Sequence, residues 1–175
     1  MDKYIYFAAE MPMLRWGDEQ FPSMHDFLEE ARKWMSPSDY SVLIKAVITH
    51  YTEHPVPGVY SAYLKFERTL RKELAAYRQA RKEGYEHKFS RIPPQLVKEG
   101  NPLEVEKNLM HHRWKWLDEE EFGHYSDRDF FVIYYLKLQL LHRLASFTPD
   151  IGEEHFESYV NTNLGKKEKH EESSG

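Results

Sequence analysis

Between Ser126 and Phe147 the apolar positions recur at helical spacing on two adjoining faces. Phe130, Tyr134, Leu138, Leu141 and Ala145 share one face, and Ile133, Leu136, Leu140, Leu144 and Phe147 share the other. Only a narrow stripe through Arg128, Gln139 and His142 stays polar. A helix apolar over most of its girth belongs at the centre of a bundle, so this pattern predicts the central member, at about 127–146. Leu64, Leu70, Leu74 and Tyr77 keep a similar period through a more charged stretch, which predicts a second long helix at about 59–83.

Start and stop signals divide the rest. Ser23 with Asp26 three residues on, Ser36 before Pro37 and Asp39, and Asn101 before Pro102 and Glu104 each place a side-chain acceptor ahead of free first-turn amides. Ser126 reads as the cap of the central helix, and Thr148-Pro149-Asp150 opens a last short one. Helices are therefore expected at about 24–35, 37–50, 59–83, 102–121, 127–146 and 149–160. The chain reads as all-α, a single-domain helical bundle of about six helices over 1–160. Gly84 to Asn101, with Pro93-Pro94 and little periodicity, is expected to be a long linker between two helical halves. Residues 3–9, KYIYFAA, have strand-like composition but nothing to pair with, and are read as a short helix or an extended arm. The polar end, 161–175, is expected to be a disordered tail.

Composition narrows the function classes. The 175 residues contain no cysteine, which excludes disulfides, thiolate metal sites and a cysteine nucleophile. No uninterrupted apolar run is long enough to span a bilayer, and MDKYIYFAAEMPML lacks the layout of a secretory signal, so a cytoplasmic protein without direct membrane insertion is expected. The formal net charge is −5, yet Leu64 to Arg91 holds nine Lys/Arg against four Glu. Arg68, Arg71, Lys72, Arg78, Arg81 and Lys82 could track phosphates of RNA or face an acidic protein. With Glu67 and Glu73 among them, they also fit the solvated face of a packed helix.

Candidate chemistry is sparse. Glu121 and His124 have the Glu-x-x-His spacing of di-iron bundles, but the second such pair is missing, and Gln139 ahead of His142 is a poor substitute. His50 and His54 lie four apart like two zinc ligands, without the glutamate of H-E-x-x-H and with Pro55 ending the helix. His111 and His112 are adjacent and point in different directions on a helix. No phosphate-binding, dinucleotide or nucleophile-elbow motif occurs. The expectation is no metal, no cofactor and no catalytic residue. Gly123-His124-Tyr125-Ser126 then reads as a helix-to-helix corner, with Gly123 as the stop. Lys137 interrupts the face through Phe130, Tyr134 and Leu141. It is expected to reach the acids of Asp118 to Glu121 across that corner, with Arg113 as a competing cation.

Several segments carry a resemblance. LRKELAAYRQARKEG, then HHRWKWLDEEEFGHYSDRDFFVIYYLKLQLLHRLASF and DIGEEHFE, resemble an uncharacterised bacterial family whose genes sit among those of V-type ATP synthases. The aromatic start MDKYIYFAAEMPML is similar too. The most specific part comprises Arg113-Trp114, Leu117-Asp118-Glu119, Gly123-His124-Tyr125, and Lys137, Gln139 and Arg143. The resemblance implies an all-α, non-enzymatic stand-in for the C subunit (d in eukaryotes), the socket between central stalk and membrane ring. Its partners would then be other V-type ATPase subunits and no nucleic acid, and its membrane association peripheral, through them. The chain is shorter than an ordinary C subunit and lacks a threefold internal repeat. A stand-alone RNA-binding or regulatory helical protein, and a metal-dependent enzyme, are the alternatives.

Overall fold

The computed structural model describes residues 4–49 and 58–147. Among them all regular structure is helical, with no strand: α1 (Ile5–Glu10), α2 (Met24–Trp34), α3 (Pro37–Leu43), α4 (Val59–Glu83), α5 (Gln95–Lys98), α6 (Pro102–Glu120) and α7 (Arg128–Ala145). The all-α class expected from periodicity is the one observed. The chain separates into two units, Met1–Leu141 and His142–Gly175. Of the second only 142–147 are described, where the Arg143 guanidinium lies 5.8 Å from the centre of the Phe147 ring. The helix expected at 149–160, the tail and the His50/His54 pair fall outside the described residues.

The capping signals act as their chemistry requires. Ser23 accepts from the Asp26 amide, Ser36 from the Asp39 amide, and Asn101 forms a reciprocal capping box with Glu104. Gly84 ends α4 with φ +79°, and Gly123 turns the chain beyond α6 with φ +94°. The cap of α7 is shifted by one residue. The Asp127 carboxylate, not Ser126, accepts the Phe130 amide at 2.8 Å. Ser126 is instead buried, and its carbonyl receives the Tyr4 amide at 2.9 Å.

Residues Phe131 to Leu141 of α7 are all buried, which makes α7 the central helix of the first unit. Its aromatic end gathers the N-terminal segment. Phe7 stacks on Phe131 with ring centres 4.4 Å apart, and Tyr4 packs edge-on against the same ring. The short-helix reading of residues 3–9 therefore holds from Ile5, because Tyr4 and Phe7, three apart, bury one face against α7 while Tyr6 stays exposed. Tyr4 also donates its hydroxyl to Asp39 at 2.6 Å, tying α1 to α3.

One expectation fails for a reason that lies far away in sequence. The helix expected over 37–50 stops at Leu43. The chain beyond it finds other partners: Gln139 of α7 accepts the Ile48 amide at 3.2 Å and donates to the Ala46 carbonyl at 2.8 Å. The Tyr60 hydroxyl contacts both the amide and the carbonyl of Val47. Four backbone groups that helix continuation would have paired are satisfied by two side chains. Gln139 accordingly belongs to the buried interior rather than to a polar stripe. The linker, too, has structure. It contains α5, and its Ile92 joins Leu70, Leu74 and Leu109 in a hydrophobic cluster.

Candidate functional site

Three polar seams lie between the packed elements of the first unit. The most buried starts at Glu67. Tyr60, Tyr63, Leu70 and Leu74 form the inward stripe of α4, and Glu67 sits on it, four after Tyr63 and three before Leu70. Arg113 of α6 grips it with two bonds, Nε to Oε2 at 2.8 Å and Nη2 to Oε1 at 2.9 Å. Arg71 adds a third at 2.7 Å. Burial alone would raise the Glu67 pKa, but the two guanidiniums outweigh it and hold the carboxyl below its ordinary value. Arg113 is raised in turn, since Glu67 more than offsets its burial. The adjacent Tyr63 hydroxyl is buried without a hydrogen-bond partner, and burial, reinforced by the Glu67 charge, pushes its pKa well up.

The second seam fixes the linker. Glu73, also inward on α4, accepts the amides of Ser90, Arg91 and Ile92, the last two at 2.8 Å each, and the Ser90 hydroxyl at 3.2 Å. Burial favours the neutral acid, yet these donors hold Glu73 below its ordinary carboxylate value. A single carboxylate thus cradles three consecutive amides and carries Ile92 into its cluster.

The third seam joins α6 to α7. Lys137 is buried, with its ammonium 2.7 Å from Asp118, bonded to Glu121 and 5.4 Å from the centre of the Trp114 ring. The cation and acids paired by spacing across the corner do meet, while the competing Arg113 has its own partner in Glu67. Lys137, Asp118 and Glu121 line a cavity of about 410 Å³ together with Met11 and Met13. Tyr134 donates to the Pro12 carbonyl there at 3.0 Å, and burial pushes its pKa up to about 12.

The remaining sequence-predicted residues divide between core, corner and surface. Trp114 and Leu117 are buried, and Glu119 is exposed. At the corner His124 bonds Asp127 at 2.6 Å, Tyr125 points outward, and Glu121 turns to Lys137, so the Glu-x-x-His pair does not converge. His111 stacks on Trp16 and His112 leans on Phe66, in different directions. Burial, with help from neighbouring cations, lowers both imidazole pKa values. Among the described residues no group of three or more His, Asp or Glu is placed to hold a metal ion.

Of the six cations read as a partner surface on α4, Arg71 is not free, since it serves Glu67. Lys72, Arg78, Arg81 and Lys82 are exposed, as is Arg68. Arg78 and Arg81 border a cavity of about 680 Å³ that also meets α5 and α6. Glu67 and Glu73 are the functional side chains that reading by charge passed over. Their signal was positional: Glu67 falls on the apolar stripe of α4 and Glu73 beside it, next to Leu74. No family model, curated protein or solved structure matches the chain.

Proposed function

We propose that the chain is a non-catalytic coupling subunit of a V-type ATPase, placed between central stalk and membrane ring and peripheral to the membrane through its partners. The observation that carries this reading is a division of labour among charges. Buried Glu67, paired with Arg113, and buried Lys137, paired with Asp118 and Glu121, tie α4 to α6 and α6 to α7. Glu73 fixes the linker, and Arg78 and Arg81 remain outward on α4. A part that passes force between two others needs rigid internal joints and a charged face on which to seat. The resemblance of the Arg113 to Arg143 region to a family encoded beside V-type ATP synthases supports the same role.

The test is purification of the tagged chain from its native host at low salt, followed by mass spectrometry. Stalk or ring subunits should accompany it, in stoichiometric amounts. Recovery of the chain with RNA and without those subunits would replace the proposal with the nucleic-acid reading of the same basic face.

A further inference from the structure

We propose that the groove between the C-terminal half of α4 and the α5–α6 segment is a docking site for an acidic peptide segment of a protein partner, anchored by an apolar side chain. The proposal deepens the coupling-subunit reading, and rests on it only for the partner's identity. The floor is apolar: Leu74, Val97, Val105 and Leu109 line the groove and belong to, or pack on, the cluster around Ile92. The rim is cationic, with Arg78, Arg81 and Lys98. Arg78 is exposed, Arg81 lies against the Tyr77 ring at 5.9 Å, and Lys98 has an exposed contact with Glu86 at 3.7 Å. Among the described lining residues Glu106 is the one acid against three cations, so their charge is net positive.

A volume of about 680 Å³ suits one or two side chains and a turn of backbone rather than a flat contact. Carboxylates fit the site better than phosphates. The N-terminus of α6 opens onto the groove at Gly100 and Pro102, but its capping box leaves only the Leu103 amide without a partner from that box. Asn101 takes the Glu104 amide, Glu104 takes the Asn101 amide, and Pro102 has none. A phosphate would meet the side-chain cations and little of the helix end, a single first-turn amide. A peptide carrying Glu or Asp beside a Leu-like residue would meet those cations and the floor together.

The experiment uses the full chain at low salt and fluorescein-labelled peptides read by anisotropy: one of Glu and Leu, one of Glu and Ser, and one of Lys and Leu. The Glu/Leu peptide should bind. The double variant R78E/R81E should weaken it by about tenfold or more, and the neutral R78Q/R81Q less. K72E/K82E changes the net charge equally but lies off the groove, and should leave binding within about twofold. Circular dichroism confirms that each variant is folded, and R78Q/R81Q carries the comparison if R78E/R81E is not. Equal loss in R78E/R81E and K72E/K82E, equal binding of the Glu/Ser peptide, or displacement by inorganic phosphate at low millimolar concentration would overturn the proposal. Native-host purification separates the two readings. ATPase subunits retained equally by wild type and R78E/R81E would overturn the groove and leave the coupling role standing. Groove-dependent peptide binding with no ATPase subunit recovered would do the reverse.

Discussion

Replacing Glu73 by alanine removes the acceptor for three consecutive amides and one hydroxyl. The loss is unequal among them. Ser90 and Arg91 are exposed, so their amides turn to water, whereas Ile92 is 5% exposed and its amide has no such exchange. Stranding that one donor costs about 1 to 3 kcal/mol, and losing the charge-assisted character of the others adds about 1 more. Glu73→Ala should therefore destabilise the protein by about 3 kcal/mol. Glu73→Gln keeps one acceptor oxygen but turns an NH2 group toward a donor, and should cost about 2 kcal/mol. Urea unfolding measures both, and amide hydrogen exchange at Arg91 and Ile92 locates the effect. If Glu73→Ala costs less than about 0.5 kcal/mol and exchange at Ile92 is unchanged, the carboxylate does not hold the linker and the reasoning fails.

Three further outcomes follow from the same packing. Glu67→Gln leaves the half-buried Arg113 without its counter-ion and should cost about 2 to 4 kcal/mol, whereas Glu67→Leu combined with Arg113→Met should cost clearly less; a double-mutant cycle in urea decides. Leu140, fully buried in α7, should lose about 2 to 5 kcal/mol on truncation to alanine, read as a shift in the denaturant midpoint. Stability should also fall in two stages on acidification. His111 and His112 have folded pKa values below 6.5, so the unfolded chain binds protons first and stability drops as pH falls below about that value. Glu67 and Glu73, depressed below 4.5, add a second loss beneath that pH, which Glu73→Gln should reduce in thermal melts across pH.

Local rules carried the reading of the sequence where the relevant partner lies within a turn of helix. Ser23, Ser36 and Asn101 cap the helices they precede, and Gly123 takes the positive φ expected of it. The seam at Lys137 was also legible, because a corner of a few residues brings Asp118 and Glu121 back alongside it. What escaped depends on separation. Nothing near Val42 to Ile48 announces that Gln139 will take its backbone groups, so periodicity carried the helix onward past its real end. Glu67 looked like one more surface charge because its partner stands 46 residues away in Arg113. The substitution of Asp127 for Ser126 as the α7 cap is a smaller miss, one residue along the chain, with Ser126 buried and its carbonyl taking the Tyr4 amide.

The clasp on Ala46 to Ile48 also dictates an order of events during synthesis. Its Gln139 bonds close loops of 91 and 93 residues, so they form only after most of the described chain exists. Until α7 emerges from the ribosome and docks, the run VLIKAVI at 42–48 lacks the Gln139 half of its clasp. It is apolar, rich in β-branched residues and broken by one lysine, the composition that pairs edge to edge with other chains. Lys45 sits in the middle of it and is exposed in the finished fold, a charge that guards the nascent chain against that pairing. A protein of this design is most vulnerable to aggregation while it is being made, and Lys45→Val should lower soluble yield far more than it lowers the stability of the folded product.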